Sequence, residues 1–505
     1  MRDEQRPTRA RAIAISAALF LLAANISQAR YSGGSGEPNN PYRIATPNDL
    51  NDIGNHVEDF NKSFVMVNDV DLAHYTGTQF NIIGPNIAEP FSGVFDGDGH
   101  TISNFTYHTT AEGVVGVFGV IGGCNAEIRN LYLLEPNIIL EDGDDAGTLA
   151  AGVWEGRVQS CGAQGGIVRA RNFVGGLVGT NSFRGIVESC FATTDVNGDM
   201  RIGGLVGQNY HEILDCYTRG QIEGNAYVGG LVGSNSARIS NCQSDCYVKC
   251  AQHYGGGLVG ENYNGTVENS AATGLIVGDF SIGGLVGFSF SESMVRGSYA
   301  NCVLDANNAV GGLVGYSYYG SGISDSYSVS TVDGIDAVGG LAGVACSTSI
   351  DNCYSAAPVS GDSNVGAFCG FHCQSDTVYS GAFWDSVISP DINGIGNGSA
   401  PNVVGKPTVE MQTDSTFTDA GWDFVGETAN GTEDIWDICQ GTNYPRLVWQ
   451  IPAADFLCPD GVNFIDYSYF GSAWNTSDPN ADLNLSGLVN HSDLKIFCEQ
   501  WLDGI

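Results

Sequence analysis

Short runs in which apolar and polar residues alternate recur along most of the chain, separated by glycine or asparagine. Alternation of this kind between turn residues is typical of β-strands. A period of about 27 residues with three short strands per unit predicts a right-handed parallel β-solenoid (β-helix), an all-β fold whose coils stack about 4.8 Å apart. The period is set by the string Gly-Gly-Leu-Val-Gly, or Gly-Gly-Leu-Ala-Gly in the last copy, which begins at Gly175, Gly203, Gly229, Gly256, Gly283, Gly311 and Gly339.

Weaker copies of the glycine string extend the repeat at both ends, to about ten or more coils. At the N-terminal end, Thr46 and Pro47 predict the N-cap and first turn of a short helix that runs to about Asp59 and covers the open end of the solenoid. The predicted units are a signal peptide (1–29), a cap with the first coils (30–115), the repeat array (116–390), a closing segment (391–452) and a small C-terminal module (453–505).

Residues 1–29 have the pattern of a secretory signal peptide. A basic stretch to Arg11 precedes the apolar run 12–24, and Ser27-Gln28-Ala29 offers a small-residue cleavage site. The run is too short to span a bilayer as a stable helix, and no second apolar segment follows. We therefore expect a secreted or cell-surface protein with no membrane span after cleavage; an uncleaved N-terminal anchor is the alternative.

The charge balance narrows the classes of partner. The chain has 56 Asp and Glu residues against 20 Lys and Arg, a formal net charge of -36. A surface this acidic repels phosphate backbones and anionic lipid, which argues against nucleic-acid binding. Calcium and neutral glycans remain reasonable partners.

The 15 cysteines lie in a chain expected to reach a compartment that permits disulfides. Cys346 and Cys373 follow their glycine strings by the same number of residues, one coil apart, so their Cα atoms are expected about 5 Å from each other. That separation suits a disulfide bond. Cys458 and Cys498 form a second candidate pair, which would staple the C-terminal module.

The repeat also resembles a known motif. In 339–355, Gly-Gly-Leu-Ala-Gly is followed by Asn and Cys-Tyr-Ser elements, and this pattern resembles the GLUG motif of bacterial secreted and surface proteins. Segments 91–105 and 411–450 are similar to the ends of such arrays. The resemblance covers about residues 42–450. It implies a solenoid with an adhesive or structural role, which is the role usually given to members of this family.

The C-terminal module contains a loop with the ligand spacing of a calcium-binding EF-hand, with glycine at position 6 and a carbonyl ligand at position 7. An earlier and weaker copy, 455–466, keeps Asp455, Asn463 and Asp466 but has Leu457 and Pro459 at two ligand positions. Helical apolar spacing follows the better loop at 494–502. The predicted ligands of that loop are Asp482, Asn484, Ser486, Leu488 through its carbonyl, Asn490 and Asp493.

Two such loop-helix units resemble a type I dockerin, the small calcium-folded module that binds cohesin domains. The resemblance implies calcium as the cofactor and a cohesin-type protein as the partner. It places partner recognition at His491 and Ser492, with Phe464 and Ile465 as their counterparts in the weaker copy. The alternative is a calcium-stabilised terminal plug without a partner.

Because equivalent residues of a solenoid stack, columns follow from the repeat. A column of Cys and Ser residues predicts a buried ladder of small side chains. One residue later, Tyr299, Tyr327 and Tyr354 occupy consecutive coils and are expected to face outwards. This strip could hold sugar rings, and cross-strand aromatic packing is the alternative. Asp305 and Asp333 are also expected to be neighbours, a spacing that suits a bridging cation or a glycosidase pair but arises by chance in so acidic a chain.

No catalytic residue is predicted, since strings such as Gly-x-Ser-x-Gly or His-Glu-x-x-His are missing from the sequence. The sequence predicts a secreted, non-enzymatic solenoid for adhesion or glycan contact, attached or assembled through its calcium module. The alternative is a β-helical polysaccharide lyase or glycoside hydrolase that its dockerin carries into a glycan-degrading complex. The fold alone does not separate these alternatives, nor a purely structural spacer.

Overall fold

The structure is a computed structural model that describes residues 30–111, 113–373, 376–458 and 461–503. The predicted signal peptide, 1–29, lies outside the described residues. The helices are α1 (Pro47–Ile53), α2 (Thr408–Met411), α3 (Asp414–Thr418), α4 (Phe464–Ser472) and α5 (His491–Asp503), with 3₁₀ turns at Val57–Asp59 and Val448–Gln450.

Forty-four strands, β1 to β44 in chain order, make up the rest of the regular structure in the described ranges. Strands β1–β10 are Tyr42–Ile44, Ser63–Met66, Val70–Asp71, Val94–Asp96, Thr101–Ser103, Thr106–Thr109, Phe118–Ile121, Glu127–Arg129, Tyr132–Leu134 and Asn137–Leu140. Strands β11–β20 are Ala146–Gly147, Ala150–Gln159, Gly162–Arg169, Asn172–Gly175, Val178–Glu188, Phe191–Asn197, Met200–Gly203, Val206–Asn209, Glu212–Leu214 and Tyr217–Gly229. Strands β21–β30 are Val232–Asn235, Arg238–Ser240, Gln243–Gly256, Val259–Tyr263, Thr266–Glu268, Ala271–Gly283, Val286–Phe290, Met294–Arg296, Tyr299–Gly311 and Val314–Tyr318. Strands β31–β44 are Gly322–Ser324, Tyr327–Ser328, Thr331–Asp333, Asp336–Gly339, Ala342–Cys346, Ser349–Ser355, Val359–Ser360, Ser363–Gly366, Cys369–His372, Val378–Asp385, Ile395–Asn397, Val403–Lys406, Trp436–Asp437 and Arg446–Leu447.

Strands β1 to β42 form a parallel β-solenoid of about 12 turns, and the fold predicted from the repeat is confirmed. Equivalent residues of successive coils are cross-strand partners, as the period requires. Val187 pairs with Ile213, and Ile213 pairs with Ile239. All three side chains are buried, so one apolar core runs along the inside of the coils.

A bend in each coil stands directly before the column of small residues. The bend residues have a left-handed backbone, with φ of +53° at Asp215 and +56° at Asn241. Asp and Asn adopt this conformation more readily than most residues, and Asn241 Nδ2 donates a hydrogen bond of 3.0 Å to Asp215 Oδ1. The chain can therefore turn inward, and the predicted small-residue ladder is buried at Cys161, Cys190, Cys216, Cys242, Ser270, Ser298, Ser326 and Cys353.

The N-terminal cap contains the predicted helix in a shorter form. The Thr46 hydroxyl accepts a hydrogen bond of 3.1 Å from Asp49 N, and Asp49 Oδ2 accepts one of 3.0 Å from Thr46 N. This reciprocal cap starts α1, which buries Leu50 in the solenoid core. The helix ends at Ile53 and not at Asp59, because Gly54 follows it, and Val57–Asp59 form a separate 3₁₀ turn.

The closing segment returns along the outside of the last coils and forms a second core there. Trp422 and Trp436 are fully buried in this cluster, with ring centroids 4.7 Å apart. Trp449 Nε1 donates a hydrogen bond of 2.8 Å to the Gly297 carbonyl, 152 residues earlier in the chain. The segment is thereby anchored to the side of the solenoid.

Two disulfide bonds are present in the described part of the chain. Cys346 and Cys373 are joined across one coil, with Cα atoms 4.8 Å apart. The predicted pairing of Cys458 with Cys498 is wrong, because Cys458 bonds Cys439 at a Cα separation of 5.0 Å. Cys498 is free and exposed, although its neighbour in α5, Phe497, is buried.

The C-terminal module packs α4 against α5. Phe470 and Phe497 stack at its centre, with ring centroids 5.1 Å apart. Within the described ranges, no helix is long and apolar enough to cross a membrane.

Candidate functional site

The tyrosine strip that could have held sugar rings is covered, and its rings show the cross-strand aromatic packing given as the alternative. Tyr299, Tyr327 and Tyr354 do stack, with centroids 5.1 and 4.8 Å apart. Tyr327 is only 5% exposed and Tyr354 only 1%, because the closing segment lies on them. The Tyr354 hydroxyl donates a hydrogen bond of 2.8 Å to the Pro445 carbonyl. The prediction that this strip faces solvent is therefore wrong, and its rings anchor the closing segment.

A different set of aromatic side chains is accessible on the solenoid, and we call it the aromatic face. Its members come from four consecutive coils and stand at three positions relative to the first glycine of each string: two before it, five after it and seven after it. The aromatic face consists of Tyr227, Tyr254, Tyr263, Phe288, Phe290, Tyr316 and Tyr318, all partly or largely exposed.

Coil stacking brings these rings together. Tyr254 has a left-handed backbone, with φ of +68°, and its ring stacks on Phe288 at a centroid distance of 4.6 Å. Phe288 pairs with Tyr316 in the next coil, and Phe290 pairs with Tyr318. The centroids of the second pair are 5.9 Å apart and nearly parallel. The result is a continuous strip of rings along the axis of the solenoid.

Polar groups lie at the N-terminal end of the aromatic face. The Arg201 guanidinium stands 5.2 Å from the ring centroids of both Phe173 and Tyr227, an arrangement that holds the cation by cation–π attraction. Glu261 Oε2 accepts a hydrogen bond of 2.9 Å from the Ser234 hydroxyl. Burial raises the pKa of the Glu261 carboxyl, and the Ser234 hydrogen bond offsets part of that effect.

Glu261→Gln is expected to raise the melting temperature at pH 8, and the gain should shrink as pH falls towards 4. The raised pKa means that the folded state holds the proton more tightly than the unfolded state, so ionised Glu261 costs stability above its folded pKa. Thermal unfolding followed by circular dichroism across pH 4–8 measures the effect. Glu292→Gln, which removes an exposed carboxylate, controls for the general benefit of reducing the charge of -36; an equal gain there would contradict the burial argument.

The predicted calcium loop folds around its two carboxylates. Asp482 is 6% exposed and Asp493 is fully buried. Asp482 accepts hydrogen bonds from Ser486 N and Gly487 N, at 2.9 and 2.6 Å. Asp493 accepts from Asn484 N and Asn490 N, at 3.0 and 2.8 Å. The structure thus brings the predicted ligand residues into one closed loop.

The hydroxyl of Ser486, another predicted ligand, lies beside the Asp482 carboxylate. Ser486 Oγ is 3.4 Å from Asp482 Oδ1 and 3.2 Å from the Leu488 carbonyl oxygen. Gly487, at loop position 6, has a φ of +87° that L side chains rarely adopt. Among the described residues, no group of three or more His, Cys, Asp and Glu side chains is arranged to hold a metal ion. A cation here would rest on two carboxylates completed by neutral oxygens, which is a donor set that calcium accepts.

The weaker copy has the same framework with fewer oxygens. Asp466 accepts hydrogen bonds from Phe456 N and Asn463 N, at 2.9 and 3.0 Å. Asn463 also caps α4, accepting from Ile465 N at 2.6 Å. Asp455 Oδ2 accepts from Gly461 N at 2.8 Å. Leu457, at a ligand position, is an exposed apolar side chain, and Pro459 lies outside the described residues.

The predicted partner residues are accessible. Phe464 is 77% exposed and Ile465 is 63% exposed, at the start of α4. His491 and Ser492 are exposed at the start of α5, and the His491 ring packs edge-on against Trp474. Exposed apolar side chains at a helix start are available for contact with another protein.

The aromatic face was not among the sequence predictions, although part of its pattern is present in the repeat. Tyr227 and Tyr254 both stand two residues before a Gly-Gly pair, and Phe288 and Tyr316 both stand five residues after the first glycine. The predicted neighbours Asp305 and Asp333 are indeed cross-strand partners, on β29 and β33.

Comparison with known proteins gives a family match for part of the repeat. The family described as the GLUG motif matches residues 224–245 and 251–277. Halomucin of Haloquadratum walsbyi is 30% identical over 172 residues, which is 32% of this chain and 2% of that protein. A protein of Evansella cellulosilytica named as a Gly-rich membrane protein is 29% identical over 184 residues, 35% of this chain and 21% of that protein. The chain therefore spans only a small part of the length of these relatives.

Solved structures with some similarity include two proteins named as immunoglobulin A1 proteases. One, from Bacteroides ovatus, has a TM-score of 0.32 and 19% sequence identity, covering 83% of this chain and 95% of that one. The other has a TM-score of 0.32 and 12% identity, covering 60% of this chain and 22% of that one. Neither similarity identifies an activity.

Proposed function

We propose that this chain is an extracellular adhesion protein that holds glycans along the aromatic face of its β-solenoid. The observation that carries the proposal is the ladder of accessible rings on four consecutive coils, in which Phe290 and Tyr318 stand 5.9 Å apart. A flat ring offers an apolar surface to the C–H face of a sugar, and a tyrosine hydroxyl adds a hydrogen bond. Repeated rings suit a ligand that is itself a chain of similar units.

A location at the cell surface is supported by the name of one relative, which describes that relative as a membrane protein. Tyr263 and Tyr318, which are 46% and 39% exposed, belong to an accessible aromatic surface of the kind that marks a binding site. We propose that the C-terminal module attaches the chain to a cohesin-type partner, with calcium folding the loop and Phe464 and Ile465 making contact.

The proposal predicts that Tyr318→Ala weakens glycan binding by about tenfold, since removing one stacking ring costs on the order of 1 kcal/mol or slightly more. The measurement is a glycan array with residues 30–505 in calcium, followed by titration of the best neutral oligosaccharide. Tyr217→Ala is the matched control, because Tyr217 is 51% exposed and stacks on Phe191 on a different part of the coil.

Two results would contradict the proposal. An array without any bound glycan would remove adhesion through sugars, and equal losses in the two tyrosine variants would remove the aromatic face as the binding surface. New reducing ends during incubation would instead favour the enzymatic alternative, a lyase or hydrolase.

A further inference from the structure

A cavity of about 480 Å³ lies at the N-terminal end of the same three columns that form the aromatic face. Volumes of about 300–1,000 Å³ are usual for sites that bind small molecules. Gly152 stands five residues after the first glycine of its coil. Further along the solenoid, the same position is occupied by the large side chains of Phe288 and Tyr316. Without a side chain at Gly152, the neighbouring rings surround a space.

Aromatic rings form the walls of this cavity. Trp154 is 38% exposed, and its ring lies parallel to that of Phe183 at a centroid distance of 6.3 Å. Tyr210, 51% exposed, and Phe173 also line the space. The Phe173 ring also contacts the Arg201 guanidinium, which in turn contacts Tyr227 of the aromatic face. The cavity and the aromatic face are therefore adjacent. Such walls offer flat apolar surface to one side of a ligand.

Two polar side chains, Gln208 and Asp145, are among the residues that line the cavity. Gln208 is 2% exposed, and its Nε2 donates to the Ser234 carbonyl and hydroxyl at 3.3 Å each. Its Oε1 has no hydrogen-bond partner among the described residues, and a buried acceptor left in this state costs free energy. Asp145 accepts a hydrogen bond of 2.6 Å from the Thr180 hydroxyl, and burial raises the pKa of its carboxyl.

We propose that this cavity binds one neutral hexopyranose unit of a glycan, with the ring against Trp154 and hydroxyl groups donating to Gln208 Oε1 and Asp145. The inference rests on the proposed function and adds to it a defined site and a ligand class. A purely apolar ligand would leave Gln208 Oε1 unsatisfied. An anionic sugar would be repelled by the Asp145 carboxylate and by the net charge of -36. The nearby cation, Arg201, already lies against the Phe173 and Tyr227 rings.

The test uses the chain 30–505 and a panel of methyl hexopyranosides, with a methyl glucuronide and N-acetylneuraminic acid as anionic probes, measured by titration calorimetry. We expect saturable binding of at least one neutral glycoside and none of the anionic probes. Trp154→Ala should raise its Kd about tenfold through loss of the stacking surface. Gln208→Leu should raise it about fivefold through loss of one acceptor.

Controls separate this site from the aromatic face and from misfolding. Tyr318→Ala should leave binding of the monosaccharide unchanged while weakening that of an oligosaccharide. Tyr210→Ala, an exposed change, provides a second cavity variant if Gln208→Leu unfolds, and melting curves identify that case. One outcome would overturn the proposed cavity site and leave the proposed function standing. In that outcome, Tyr318→Ala weakens oligosaccharide binding, whereas Trp154→Ala and Tyr210→Ala do not change it. If neither glycosides nor oligosaccharides bind, both fail.

Discussion

Gly256→Ala is expected to destabilise the solenoid by about 3 kcal/mol, the upper end of the usual cost of overpacking a core. An added Cβ would stand 2.0 Å from the Val259 carbonyl oxygen and 2.8 Å from Gly287 N, both backbone atoms. The backbone cannot move aside easily, because Leu258 N and Val259 N both donate to the Leu285 carbonyl of the next coil at 2.9 Å. One methyl group therefore disrupts contacts with two coils.

Thermal or urea unfolding followed by far-ultraviolet circular dichroism measures this loss. Gly152→Ala is the matched control, since Gly152 is also a buried strand glycine of the solenoid. The nearest atom to its added Cβ is Trp154 Nε1 at 3.4 Å, which is an ordinary contact. If Gly256→Ala unfolds at the same temperature or urea concentration as Gly152→Ala, the result would contradict the close approach of the coils.

The same close approach explains why the fold could be predicted from the sequence. The first glycine of each string, such as Gly229 or Gly283, would place a Cβ 2.0 Å from a carbonyl oxygen, so glycine recurs at every coil. Stacking then sets which residues are neighbours, and the pairing of Cys346 with Cys373 follows from position alone. Contacts that recur in every coil can be predicted from a single sequence, because the repeat shows which positions are equivalent.

Contacts that do not repeat could not be predicted in this way. The closing segment meets Tyr354 through Pro445, 91 residues later, and Tyr327 through Gln450, 123 residues later. No repeat in the sequence predicts that the closing segment folds back onto these coils. The tyrosine strip was therefore expected to be exposed. The pairing of Cys458 with Cys439 depends on the same returning segment.

The aromatic face was missed for another reason. Its members are spread over three columns, and each column changes residue type along the solenoid. The column two before the glycines contains Asp145, Phe173, Arg201, Tyr227 and Tyr254 in turn. Only the coil geometry brings Tyr254 within 4.6 Å of Phe288, which belongs to the next coil and another column.

Removal of calcium is expected to unfold the C-terminal module and leave the solenoid folded. The module has a small buried core, made by Ala454, Phe470, Ala473, Ala481, Val489 and Phe497. A core of this size in about 50 residues needs further stabilisation, for which a bound metal is one common source. Asp482 and Asp493 are buried carboxylates in one loop, and a cation between them would offset the cost of burying two negative charges.

Calcium at 100 times its Kd would stabilise the module by about 2.7 kcal/mol, enough to decide whether so small a unit folds. Calorimetry of residues 30–505 should show a module transition that EDTA and Asp493→Asn each abolish, separate from the solenoid transition. Glu499→Gln, which changes an exposed carboxylate on α5, should retain the calcium response.

Retention of the chain on an immobilised type I cohesin domain only in calcium would support the proposed partner. If the module shows a calcium-dependent transition but the chain is not retained, the metal has a structural role alone. A module transition indifferent to EDTA would contradict calcium binding, because two buried carboxylates would then be tolerated by hydrogen bonds from Ser486 N, Gly487 N and Asn490 N alone.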